Sequence, residues 1–386
     1  MEDWKIFTGT LTEDGTLAHE PERIGQLPDP PSWRSFSQSD RGETKTERRG
    51  KTFQPLKEEV EMVNAALYLR RPLLVTGKPG TGKTSLAYAV AYALGLGEVL
   101  EWPITTRTTL KDGLYSYDAV GRLQDTQLRF QSQGQAPDQA VATERLQETL
   151  KGIGDYITLG PLGTALLPSN KPRVLLIDEI DKSDIDLPND LLHVFEEGKF
   201  TIRELERLKG KVEGAITVQT AYTEAKEPTT YPVEGGLVRC TQFPLVIMTS
   251  NDERDFPPAF LRRCLRLDMA DPSRERLQQI VAVHLKDAEP QAETLITNFD
   301  QRRSQGKGML ATDQLLNAVY LVSRPQAPTG QTKADLVDQL WRYLDSNEPT
   351  RSPANPDPDP IEASPGKPKT TAKTTKGARP KPGTTP

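Results

Sequence analysis

The stretch Gly77-Lys78-Pro79-Gly80-Thr81-Gly82-Lys83-Thr84 limits what this chain can fold into more than any other. It follows an apolar run, Leu73-Leu74-Val75. It precedes a segment in which Leu86, Val90 and Leu94 recur at helical spacing until Gly95 and Gly97 end it. Strand, glycine-rich turn and helix in that order form half of a parallel α/β unit. The glycines let the backbone curl so that successive N–H groups point inward at phosphate oxygens. The following helix adds the positive end of its dipole. In such a loop Lys83 is expected to reach the outer phosphates of ATP and the Thr84 hydroxyl to ligate Mg²⁺. The expected binding set is Gly77, Lys78, Pro79, Gly80, Thr81, Gly82, Lys83, Thr84 and Ser85. The bland alternative is a glycine turn with a coincidental Lys-Thr, and both flanks argue against it.

A phosphate loop alone does not separate a kinase from a hydrolase. Asp178-Glu179 follows the apolar strand Val174–Ile177, so the strand's end should carry Asp178 towards the loop to hold the metal. Glu179 is then the candidate to orient and deprotonate an attacking water. Thr249-Ser250-Asn251 closes another apolar strand, Leu245–Met248, and the Asn251 amide is placed to hold that water or the terminal phosphate. A post-strand Asn is also an ordinary turn residue. Phe256–Arg263 ends in Arg262 and Arg263 at the close of a short helix. Cations there suit the helix dipole; the functional alternative is an arginine finger aimed at a neighbouring copy's phosphate.

The rest of the chain sorts by pattern. Val60, Val63 and Leu67 mark a helix ending at Pro72, Val99–Ile104 a strand, Leu191, Leu192 and Phe195 a helix, and Leu265, Leu267 and Met269 a strand. Strands this apolar on both faces belong to a parallel sheet covered by helices. The expected fold class is α/β: a P-loop parallel sheet with flanking helices, followed by a small all-α lid. Trp4, Ile6 and Phe7 suggest a short strand, Trp33 and Phe36 are free to dock, and Ser37–Lys51 reads as a flexible connector. Thr105–Lys171 reads as loop with a helix near Val141–Leu150, and Phe200–Thr220 as a hairpin. Beyond Pro272 the pattern is helical, with Leu277, Ile280, Val281 and His284 on one face and Leu315, Leu316, Val319 and Val322 on another. Thr332 and Asp335 suggest a capping box. The expected organisation is an irregular extension over 1–51, the α/β domain over 52–270, the lid over 271–346, and a Pro/Lys/Thr-rich tail over 347–386 that buries too little to order. That basic tail reads as a spacer or, alternatively, as a contact for nucleic acid or an acidic partner.

The chain has 386 residues, enough for two or three domains of roughly 100–200 residues. A net charge of −5 and a pI near 5.6 oppose a broad nucleic-acid surface, for which a pI above about 9 is usual. Cys240 and Cys264 are too few for a disulfide framework or zinc cluster, and His19, His193 and His284 have no ligand-like spacing. With no signal peptide and no run near ~18 apolar residues, the protein is expected to be soluble, cytoplasmic and without a membrane partner.

Taken in order, these stations resemble the AAA+ ATPases over residues 52–345: Walker A at Gly77–Thr84, Walker B at Val174–Glu179, sensor 1 at Asn251, the finger segment and a helical lid. Gly160–Leu162 through Asp178–Lys182, and Phe195–Ile202, resemble the MoxR group within them. The finger arginine of that family precedes an aromatic residue, so Arg263, here followed by Cys264, is preferred over Arg262. The family's sensor 2 arginine has no counterpart in Gly308–Asp313, so that either the preceding Lys307 substitutes for it or the contact is missing. The resemblance implies a ring, expected to be hexameric, with ATP between subunits. It also implies a protein client, of which a von Willebrand factor A domain protein is one kind. Asp112–Asp118, with Tyr115 and Tyr117, stands where the family places partner-touching insertions; packing is the alternative for both tyrosines. A nucleic-acid motor and a nucleotide-gated switch with little turnover remain as competing functions.

Overall fold

The computed structural model describes residues 4–10, 12–14, 16–34, 43–132, 150–223, 227–285, 289–305, 309–324 and 327–342. The chain divides into Met1–Asp345 and Ser346–Pro386, and every described residue belongs to the first unit. The 347–386 tail, Phe36, Lys307, Gly308 and the helix expected near Val141–Leu150, apart from Leu150 itself, lie outside the described residues.

Five parallel strands form the central sheet: β1 (Leu73–Thr76), β2 (Leu100–Pro103), β5 (Val174–Asp178), β10 (Leu245–Thr249) and β11 (Leu265–Asp268), in the order β11-β1-β10-β5-β2. Side chains alternate across a strand, so one row of β1, β5 and β10 (Leu74, Leu175, Ile177, Val246, Met248) enters one apolar cluster. The other row (Leu73, Val75, Val174, Leu176, Leu245, Ile247) enters a second. Helices α2 (Lys57–Leu69) and α3 (Lys83–Leu94) cover the second face. α6 (Pro161–Ala165) and α7 (Asp186–Glu197) cover the first. This burial of both faces is why the strands are apolar throughout.

Several expectations fail. Trp4–Phe7 forms no strand, and Phe7 stands 75% exposed, because a short apolar run without a partner edge has no ladder to join. The connector contains helix α1 (Lys45–Gly50), started by a capping box in which the Thr44 hydroxyl accepts from Glu47 N at 3.1 Å and Thr44 N donates to Glu47 Oε2 at 2.7 Å. Lys45 and Arg49 lie over the Tyr88 ring of α3 and pair with Glu101. The middle segment holds α4 (Leu110–Leu114), β3 (Tyr115–Tyr117), α5 (Ala119–Ser132) and β4 (Ile157–Leu159). β3 and β4 join β7 (Ile216–Gln219) and β8 (Thr230–Val233) in a second sheet.

Phe200–Thr220 is no hairpin. β6 (Lys199–Thr201) pairs antiparallel with the distant β9 (Leu237–Arg239), and α8 (Arg203–Glu206) intervenes before β7. The described helices after Pro272 are α10 (Arg274–His284), α11 (Glu289–Ser304), α12 (Thr312–Val322) and α13 (Gly330–Leu340), which follow the four-residue α9 (Pro258–Leu261) in the chain. Their apolar faces meet in one cluster around Leu277, Phe299, Leu315, Val319 and Trp341. α13 starts at Gly330 after Thr329, so Thr332 lies within the helix and no capping box forms there; Asp335 accepts from Gln331 Nε2 at 2.7 Å. Trp33 docks on these helices, donating to Asn317 Oδ1 at 3.2 Å and meeting His284 and Tyr320 edge-on. No described helix is long and apolar enough to cross a membrane.

Candidate nucleotide site

In an open parallel sheet the crevice beyond the C-terminal strand ends is where ligands bind. Here β1, β10 and β5 are neighbours, so the glycine-rich loop, Asn251 and Asp178 leave the sheet side by side. The loop needs glycine for two local reasons. Gly77 has φ 139°, and a β-carbon there would stand 2.5 Å from the Met269 carbonyl oxygen. Gly80 has φ 80°, and its β-carbon would stand 2.8 Å from both Ala311 Cβ and Thr312 N.

The 7% exposed Lys83 opens α3, and its Nζ donates to the carbonyls of Gly77 (2.6 Å) and Lys78 (2.9 Å) and to Asn251 Oδ1 (2.9 Å). Burial pushes its pKa down, and Asp181 foremost, then Asp178, oppose that shift. The Thr84 hydroxyl donates to Asp178 Oδ1 at 3.0 Å, and the Thr249 hydroxyl donates to the same oxygen at 2.6 Å. Glu179 turns the chain in the left-handed region, with φ 60° and ψ 51°. Its N–H donates to Thr249 Oγ1 at 2.8 Å, and its carboxylate pairs with Lys182 Nζ at 2.6 Å.

Asp181, 2% exposed, fixes the Asn251 loop by accepting from Asn251 N at 2.8 Å and Glu253 N at 3.2 Å through Oδ2. Asp252 stands beside them with its pKa raised, first by burial, then by Asp268 and Asp181. Sequence reading assigned no task to Thr249, Asp181 or Lys182. The signal available for each was a polar residue at, or just past, a strand end beside the acid pair.

The donor set suits Mg²⁺. A hydroxyl and a carboxylate are hard oxygen ligands, and Mg²⁺ takes few protein ligands, keeping water and phosphate for the rest. Among the described residues no group of three or more His, Cys, Asp or Glu forms a closed metal cage.

Arg262 and Arg263 do not join this constellation. They precede β11, whose first residue registers with Leu73, the first residue of β1. The glycine-rich loop leaves β1 at its other end, about 13 Å away at ~3.3 Å per residue. Arg263 pairs with Glu196 and donates to the Ala259 carbonyl at 3.2 Å, while the Arg262 carbonyl accepts from Arg71 at 3.3 Å. Cys264 is buried, which pushes its thiol up to about 12 and keeps it unreactive.

Asp112–Asp118 is not a loop but α4 running into β3. Tyr115 is 6% exposed, donates to Glu204 Oε2 at 2.8 Å and stacks on Phe200, which makes it a packing residue. The half-buried Tyr117 hydroxyl accepts from Arg122 at 3.1 Å. Where an arginine was expected, Leu310 is buried in the cluster of the helices after Pro272 and Ala311 lies against Gly80.

A parallel sheet with a glycine-rich loop, an acid-ended neighbouring strand and an asparagine between them defines a P-loop nucleotide-binding protein of α/β class. The family model that matches is the AAA domain of the dynein-related subfamily, over residues 72–264. The chain belongs to that family, whose domains bind and hydrolyse nucleotide and commonly assemble as rings. No curated protein matches it.

Proposed function

We propose that this chain is a Mg²⁺-dependent ATP hydrolase of the MoxR-like branch. In this reading it works as a ring, taken to be hexameric, and couples turnover to remodelling or activating a protein client. A client bearing a von Willebrand factor A domain fits the resemblance, and a cytoplasmic setting fits the composition. The observation that carries the reading is the 3.0 Å bond from Thr84 to Asp178 beside the 2.9 Å bond from Lys83 to Asn251.

In the mechanism, the loop amides, Lys83 and Ser85 grip the phosphates, and Thr84 and Asp178 would hold Mg²⁺. When bound, Mg²⁺ neutralises charge on the transferring phosphate. Asn251 holds the attacking water. Glu179, released from Lys182, accepts its proton. Arg263, with Arg262 beside it, acts on the site of the next copy, because it precedes β11 at the end of the strands away from its own glycine-rich loop.

Mixing inactive subunits tests this. Glu179→Gln and Arg263→Ala are each expected to lose hydrolysis, and their mixture to recover part of it. Some interfaces then combine an intact Glu179 with an intact Arg263. Wild-type turnover by Glu179→Gln would remove the assigned base. A silent mixture would remove the shared site. A nucleotide-gated switch is the second reading, favoured by the Glu179–Lys182 pair at 2.6 Å. Negligible steady-state hydrolysis by the assembled wild type would select it.

A further inference from the structure

The glycine-rich loop is backed by the segments that follow the sheet. Lys78 Nζ pairs with Asp271 at 2.7 Å, and Gly80 abuts Ala311 and Thr312 at the head of α12. A third link starts in the first turn of α10. Arg276 is 8% exposed, and its Nη2 donates to Glu59 Oε1 at 2.9 Å, Glu59 Oε2 at 3.2 Å and the Gln54 carbonyl at 3.1 Å. Glu59, 2% exposed on α2, also accepts from Leu56 N at 2.8 Å and so fixes the start of its own helix. The Arg276 guanidinium lies 5.9 Å from the centre of the Phe53 ring. That ring closes on the loop itself: a β-carbon on Gly82 would meet Phe53 Cε2 at 3.3 Å, and Gly82 caps the helix that Lys83 opens.

Such a pair is a poor device for stability alone. Removing two charges from water offsets most of their attraction, and well-packed apolar residues often replace a buried pair without loss. What apolar residues cannot supply is direction, and here a guanidinium nitrogen shared between the Glu59 carboxylate and the Gln54 carbonyl ties α10 to the start of α2 and to the segment before it. We infer that Glu59 and Arg276 are positioning residues for hydrolysis, which set the angle of α10 and the helices packed on it over the glycine-rich loop. They do so through Phe53, whose ring stands between Arg276 and Gly82. This inference rests on the hydrolase reading.

The test is the double variant Glu59→Met with Arg276→Met in the full chain. Its nucleotide-free thermal midpoint is expected to equal or exceed that of wild type, while kcat/KM for ATP falls by about tenfold or more. A merely structural pair would leave kcat/KM alone once the midpoint is intact. A value within about twofold of wild type therefore overturns the inference. Should the double variant not fold, Phe53→Ala decides, since it removes the ring between Arg276 and Gly82 and strands no charge. The same loss supports the inference and the same equality overturns it. Wild type is measured alongside. If it hydrolyses nothing, the hydrolase reading fails by itself. The link is then read from the rise in midpoint caused by MgATP, which the double variant must at least halve.

Discussion

The two edges of the central sheet are built on different principles. At the C-terminal edge, Lys83 is bonded to Asn251 and Thr84 to Asp178, while Thr249 holds Asp178 and Asp181 holds Asn251 from behind. At the N-terminal edge, Arg263 pairs with Glu196 and donates to a carbonyl one helical turn away, a surface pair of the kind worth little to stability. One edge is a constellation whose members complete each other. The other is a cation held by a surface carboxylate and a carbonyl of the helix before it, and only the proposed shared site gives it a catalytic task.

Disabling each edge in turn gives the largest effects. Arg263→Ala is expected to lower kcat by about 10³ and to leave the MgATP-induced rise in thermal midpoint as in wild type. Asp178→Asn should lose both. An Arg263→Ala protein that no longer responds to nucleotide would put that arginine in its own chain's site and end the contrast. Of intermediate size is Gly77→Ala, which combines an unfavourable backbone angle with a methyl 2.5 Å from Met269 O. It should lower stability by about 1–3 kcal/mol in a denaturant titration. An unchanged curve would mean that the loop adapts more freely than its packing suggests.

The smallest effect lies away from both edges, at Trp33 and His284. Burial holds the His284 imidazole below its ordinary value of 6.5. The unfolded chain therefore binds the proton more readily, and the contribution of neutral His284 is complete above that value and is lost as pH falls. Denaturant midpoints measured over about pH 5–7 should decline less in His284→Phe than in wild type. Equal slopes would remove His284 from the account.

What was legible in the sequence was what is local. Leu73–Val75, Val174–Ile177 and Leu245–Met248 are buried on both faces, so their composition alone identified them. The glycine-rich loop could be read because its backbone angles demand particular residues. What escaped depended on distant partners. β6 finds its mate only at Leu237–Arg239, so alternation near Phe200 suggested a hairpin that the chain does not make. β3 and β4 have three residues each, too few to show a period. The Thr44-to-Glu47 box was a local signal within a stretch that read as charge alone. The buried pair of Arg276 with Glu59 was likewise beyond any spacing rule, since 217 positions separate the two residues.

The left-handed turn at Glu179 has an evolutionary consequence. A side chain other than glycine or asparagine is held there at a cost of roughly 1–2 kcal/mol. The acid proposed as the base for hydrolysis therefore sits where durability would favour a different residue. A lineage selected for heat resistance and relieved of any demand for turnover should drift towards Gly or Asn at this position first, becoming sturdier and silent in one substitution.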